Sequence, residues 1–95
     1  MASPAKIQVH VPSPLRVRSG GASTLSVVAA SVREVLDELE RSYPDLHRSV
    51  LDETGAVRRH VNLFVNDTHI RDRDGIDTAL APGDVVTILP AVSGG

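Results

Sequence analysis

The stretch Val85-Val86-Thr87-Ile88-Leu89-Pro90-Ala91-Val92-Ser93-Gly94-Gly95 decides how the rest of the chain is read. It opens as a β-branched run of the kind that packs as a buried strand. Pro90 then ends the strand, because proline has no amide hydrogen to give to a sheet ladder. An uncharged tail follows and closes on two glycines. With Gly95 as the terminus, the most accessible group is a backbone carboxylate on a flexible stalk, and the residues past Pro90 extend roughly 17 Å. The bland alternative is a frayed and silent end, the usual condition of termini. Two features weigh against it. The tail leaves directly from a strand that reads as central, and its last two positions lack Cβ, so a close-fitting channel can grip the backbone there.

Ninety-five residues make one small domain, with room for a single core and none for a large internal active site. The charged and apolar fractions, 23% and 41%, are those of a globular chain. The net charge is −2, and Arg58-Arg59-His60 is the only compact basic cluster. With one Tyr and one Phe there is no aromatic platform for single strands, so no nucleic-acid partner is expected. The chain shows no secretory leader and no apolar run that would span a bilayer, which gives the expectation of a cytoplasmic protein without a membrane partner. Cysteine is absent, which excludes disulfides, zinc-thiolate sites and a catalytic thiol in this chain.

Working outward from the last strand, residues 1–5 read as a flexible leader, 6–90 as the folded domain and 91–95 as the tail. Ile7, Val9 and Val11 alternate with Gln8 and His10, the two-residue period of a half-buried strand. Pro12-Ser13-Pro14 breaks it, Leu15 to Arg18 reads as a short return, and Ser23 to Ala29 as a second, antiparallel strand. Ser31-Val32-Arg33-Glu34 is a capping box, in which the Ser31 hydroxyl accepts from the Glu34 amide and the Glu34 carboxylate reaches back to the Ser31 amide. Behind it Val32, Val35, Leu36, Leu39 and Tyr43 recur at helical spacing until Pro44 stops the helix. Leu46, Val50 and Leu51 add another turn or two. Val61 to Val65 is a strand, Asn66-Asp67 a tight turn, and His69-Ile70-Arg71 a short strand folding back. Ile76 to Leu80 makes one helical turn, and Pro82-Gly83-Asp84 leads into the final strand. The order is that of an α+β, β-grasp (ubiquitin-like) domain: a mixed sheet of about five strands with one main helix across one face. In that fold the first and last strands lie parallel at the centre, which fixes the root of the Gly-Gly tail.

Strand alternation also fixes faces. Val61, Leu63 and Val65 point inward and leave Asn62 and Phe64 outside. Thr87 marks the outer side of the last strand, so Val86 and Ile88 lie inside, with Val85 and Leu89 outside. Phe64, Val85 and Leu89 then form an apolar cluster at the tail root, the kind of patch that docks a partner. A register slip that buried Phe64 would remove it.

Phe64-Val65-Asn66-Asp67, followed by Pro82-Gly83-Asp84-Val85 through Gly95, resembles the MoaD/ThiS ubiquitin-like sulfur carriers over nearly the whole chain, from Ile7 to Gly95. A lone terminal Gly-Gly is weak evidence. After Pro90-Ala91-Val92 on a last strand, in the β-grasp order, it is specific. The resemblance implies a carrier, not an enzyme, with no catalytic residue, no metal and no cofactor of its own. It implies an ATP-dependent ubiquitin-activating-type adenylating and sulfurtransferase enzyme that adenylates Gly95 and converts it to a thiocarboxylate. Gly94 and Gly95 would thread the partners' channels, with Ser93, Val92 and Ala91 at the entrance. The implied acceptor is a cysteine synthase dependent on pyridoxal phosphate (PLP) and using O-phosphoserine, with a metallopeptidase releasing the cysteine. The ending Ile88-Leu89-Pro90-Ala91, the hairpin Val65-Asn66-Asp67-Thr68-His69-Ile70-Arg71 and the early Pro12-Ser13-Pro14-Leu15-Arg16 favour this cysteine route. A molybdopterin synthase small subunit, the other main branch, tends to carry aromatic residues before a Pro-Pro pair. A sulfur donor for another thio-metabolite would read the same way.

Two readings of other classes stand beside it. A ubiquitin-like covalent modifier would join Gly95 to a target lysine, and chain-building on itself would have only Lys6. An interaction domain would leave the tail silent. Other constellations are weak: His10, His47, His60 and His69 lack metal-ligand spacing, and the acids at Asp72, Asp74 and Asp77 lack the register of a calcium loop. Ser13, Ser19 and Ser93 have no base beside them.

Overall fold

The structure, a computed structural model, describes residues 4–90. The expected tail, Ala91 to Gly95, and most of the expected leader lie outside the described residues. The sheet forms from β1 (Ala5–His10), β2 (Thr24–Ala29), β3 (Val61–Val65), β4 (Thr68–His69) and β5 (Val85–Pro90), in the spatial order β2-β1-β5-β3-β4. Ala5 is buried and pairs with Ala29, so it belongs to the sheet and not to the leader. β1 and β2 are antiparallel, β1 and β5 parallel, and β3 runs antiparallel to both β5 and β4. The last strand is therefore central, as the β-grasp order requires.

Two helices cover one face: α1 (Val32–Ser42) and α2 (Pro44–Val50). α1 begins where the capping box predicts, with Ser31 Oγ accepting from the Glu34 amide at 3.3 Å. The return bond differs from the expected one. Glu34 Oε1 accepts from the Ala30 amide at 2.9 Å rather than from Ser31. Pairing of β2 with β1 ends at Ala29, and the Ala30 amide needs a partner that the side chain supplies. Ile7, Val9, Val35, Leu39, Leu46, Leu63, Val86 and Ile88 fill the space between helices and sheet. Tyr43, predicted on the same stripe, is only half-buried at the break where Pro44 starts α2.

Three connections depart from expectation. Leu15 to Arg18 is no strand: Ser13–Ser19 is a 3-10 helix. Pro14 sits in its first turn, where a missing amide is harmless, and the Leu15 amide donates to the Pro12 carbonyl at 2.9 Å. Gly20, at φ +70°, ends the turn in a conformation that side chains resist. Thr68–His69 replaces the expected strand at 69–71, because Ile70 turns into the core and starts a 3-10 segment, Ile70–Asp72. The turn expected at 76–80 is a 3-10 segment at Gly75–Asp77. Thr78 is buried beside it and donates its hydroxyl to the Gly75 carbonyl at 2.7 Å.

Removing the cap or the centre of the α1 stripe should destabilise the fold by different amounts. Ser31→Ala should cost about 1 kcal/mol and lower Tm by roughly 4–8 °C. Leu39→Ala, which truncates a fully buried side chain, should cost roughly 2–5 kcal/mol. Urea unfolding of both variants measures the difference, and equal losses would contradict the packing described.

Candidate functional site

The site is built on the outer face of the sheet where β5 leaves the domain. Thr87 of β5 lies opposite Phe64 of β3, and Leu89 lies opposite Asn62. On the other side, β1 aligns Gln8 with Val85 and His10 with Thr87. Side chains directly across a ladder, and those two positions diagonal to them, interact. Phe64 thus sits among Val85, Thr87 and Leu89, as the alternation predicted. Leu89 is 43% exposed, while Phe64 and Val85 are half-buried. The three residues share one face, next to Pro90.

The ring of Phe64 is held by a neighbour that the sequence did not single out for this role. His69 packs edge-on against it, with ring centroids 5.1 Å apart and planes inclined at 66°. The Arg71 amide donates to His69 Nδ1 at 3.1 Å. That nitrogen must be unprotonated, so in the neutral ring Nε2 carries the hydrogen and donates to Asn62 Oδ1 at 3.0 Å. Asn62, His69 and Phe64 therefore form a locked platform at the tail root. Its only sequence signal was the two-residue alternation that put Asn62 and Phe64 outside together.

The start of β5 is clamped as well. Asn66 adopts φ +54°, the left-handed region that Asn tolerates better than most side chains. Its amide donates to the Val85 carbonyl at 2.8 Å, and its Oδ1 accepts from the Val85 amide at 3.1 Å. Its Nδ2 donates to Asp84 Oδ1 at 3.1 Å, and Asp84 Oδ2 accepts from the Ala81 amide at 2.9 Å. Both ends of the central strand are thus fixed by β3 and its turn.

Among the described residues, no group of three or more His, Asp or Glu is placed to hold a metal ion. No described helix is long and apolar enough to cross a membrane. Of the residues the sequence marked, Phe64, Val85 and Leu89 come together, while Ala91, Val92, Ser93, Gly94 and Gly95 lie outside the described residues.

Five strands in the order β2-β1-β5-β3-β4, with the last strand paired along both edges and two helices across one face, define a ubiquitin-like domain. Comparison with known proteins agrees. Residues 9–95 match the ThiS family. The sulfur carrier protein CysO of Mycobacterium tuberculosis is 38% identical over 91 residues, spanning 94% of this chain and 98% of that one. Its crystal structure superposes with a TM-score of 0.84, covering 90% of this chain and 99% of the other. A chain of the Amycolatopsis orientalis BexX/CysO complex is 36% identical, with a TM-score of 0.79 and coverage of 94% and 99%. Small archaeal modifier protein 3 of Haloferax volcanii is 39% identical over 66 residues, 70% of this chain and 71% of that one. The chain belongs to the ThiS family, and like the sulfur carriers of that family it is a carrier rather than a catalyst.

One carboxylate in the loop after α2 is tuned by its surroundings. The Thr54 hydroxyl and amide and the Ala56 amide all donate to Asp52, and with the charge of Arg58 they hold its carboxyl below the usual range. A depressed carboxyl stabilises its loop above the ordinary value of about 3.9 and loses that contribution as pH falls through the folded value. An NMR titration should place the Asp52 midpoint below that value, and Thr54→Val should raise it.

Proposed function

We propose that the Gly95 carboxylate, as the mature terminus, is the group this protein delivers in activated form. An ATP-dependent, ubiquitin-activating-type enzyme takes the tail into its cleft. The carboxylate oxygen attacks the α-phosphorus of ATP, pyrophosphate leaves, and an acyl-adenylate results. Hydrosulfide then attacks the acyl carbon, AMP leaves with the oxygen and one proton is released. The terminus becomes a thiocarboxylate, a softer and stronger nucleophile than the carboxylate it replaces. Gly94 and Gly95 thread the channel, Ser93, Val92 and Ala91 line its entrance, and Phe64, Val85 and Leu89 dock against its mouth. The catalytic groups, the ATP and the PLP belong to the partners, and the cytoplasm is where they meet the carrier. The central placement of β5, which brings Pro90 to the edge of a rigid apolar platform, carries this reading.

The acceptor we favour is a PLP-dependent cysteine synthase using O-phosphoserine, with a metallopeptidase releasing the product. Similarity to CysO across 94% of the chain supports it, as does the ending Ile88-Leu89-Pro90-Ala91, which departs from the molybdopterin synthase pattern. One observation favours a second reading. Identity of 39% to a small archaeal modifier protein fits a covalent modifier, since one acyl-adenylate serves both chemistries.

The test is the intact mass after incubation with ATP, sulfide and the host's adenylating enzyme. A gain equal to the exchange of one oxygen for sulfur, located at Gly95, is expected, and one residue appended after Gly95 should abolish it. An unchanged mass with a competent enzyme would sink the carrier reading, whereas lysine-linked conjugates in cells would favour the modifier. Leu89→Asp should raise KM for the carrier about tenfold at unchanged Tm. An unchanged KM would remove Leu89 from the docking surface.

A further inference from the structure

A groove of about 460 Å³ opens on the other side of the tail root, between the Ser13–Ser19 turn, α2 and the ends of β3 and β5. Arg18, Arg48, Arg58 and His60 surround it, over a floor that includes Leu15 and Pro90. No carboxylate lines it, although acids outnumber bases in the chain as a whole. Arg48 is paired with Asp45 outside the groove, and Arg58 donates Nε to the Arg48 carbonyl at 2.8 Å. Among the described residues, Arg18 and His60 have no ion-pair partner, and the terminal nitrogens of Arg58 make no hydrogen bond there. Three arginines and a histidine are thus gathered on one side of Pro90, with the apolar platform of Phe64 and Leu89 on the other.

We propose that this groove docks an acidic, partly apolar segment of the enzyme that activates the tail. The inference rests on the carrier reading and names a second contact surface for it. Charge complementarity selects the occupant, because a rim with Arg18 unpaired, the terminal nitrogens of Arg58 free of hydrogen bonds and no carboxylate in its lining favours carboxylates, and an apolar floor favours at least one apolar side chain between them. The reaction gives the rim a purpose. Adenylation brings an anionic terminus toward the polyanionic phosphates of ATP, an approach opposed by like charge. Attraction at the root, within roughly 17 Å of that terminus, steers the carrier in and holds it while the tip crosses that barrier. The groove adjoins Pro90 itself, so a segment seated there also sets the direction in which the tail enters.

The experiment is steady-state ATP–pyrophosphate exchange by the host's adenylating enzyme, with the full-length carrier as variable substrate. Arg18→Glu and His60→Glu should each raise KM for the carrier about tenfold, with kcat within about twofold. Arg73→Glu, an exposed change of the same charge outside the groove, should leave KM near wild type. Added salt should raise the wild-type KM more than that of Arg18→Glu. Thermal melts confirm that each variant is folded. Adenylation of the wild type with unchanged KM in both groove variants would overturn this inference and leave the carrier function standing. An equal effect of Arg73→Glu would reduce it to net charge and overturn it. A rise in KM for ATP instead would assign the groove to nucleotide phosphates. No adenylation of the wild type by a competent enzyme would overturn both proposals.

Discussion

Everything in this molecule depends on β5 being paired along both edges. It meets β1 in parallel from Gln8 and Val85 to His10 and Thr87, and β3 antiparallel from Val65 and Val86 to Val61 and Pro90. The centre of the sheet is therefore made by residues from opposite ends of the chain. Such pairings incur the loop-closure cost before contacts offset it, so the local elements have to be in place to receive the strand. The Asn66 and Asp84 clamp meets that need at the point where β5 enters the sheet. Beyond Thr87 the ladder continues on the β3 side alone. Leu89 and Pro90 are thus held by Asn62 and Val61 and stand open on the β1 side.

The platform beside that opening illustrates how a small domain makes a surface both apolar and ordered. An exposed phenylalanine on a sheet face would normally sample several rotamers, at an entropic cost to any partner that had to fix one. Here His69 packs against its edge, and both ring nitrogens of His69 are committed, one to a backbone amide and one to Asn62. The cost of ordering Phe64 is met inside the fold instead of at the moment of association.

Most of the fold was legible because its signals are local and agree with one another. The alternation of Ile7, Val9 and Val11, the capping box at Ser31 and the β-branched run at Val85 each specify one element, and the element order allows few ways to assemble them. The misses have two causes, overlooked turn chemistry and tertiary context. Leu15 to Arg18 has the composition of a strand, yet the prolines at 12 and 14 and the glycine at 20 favour a 3-10 turn. Ile70 looked like a strand residue until the core needed its side chain. Glu34 was assigned to the wrong amide because the end of the β1–β2 ladder is a tertiary fact. At the site, Phe64, Val85 and Leu89 were legible from the two-residue period, since a slip of one residue would have turned the whole core outward. The lock between His69 and Asn62 was not, because it depends on how β4 folds back on β3. The role of the tail was read from its residue types and from family resemblance.

The scarcity of reactive groups follows from the same economy of size. A chain of 95 residues commits most of the large apolar side chains among its described residues to one core, and little interior remains for a water-excluding active site. A protein that cannot enclose a reaction can still position a reactant. On the proposed reading, tethering a terminal carboxylate to a fixed root converts its encounter with each partner site into a docking event followed by an intramolecular one. The gain grows with the rigidity of the root and falls if the tether is long. A central strand, clamped at its start by Asn66 and flanked at its end by the Phe64 platform, supplies the first condition.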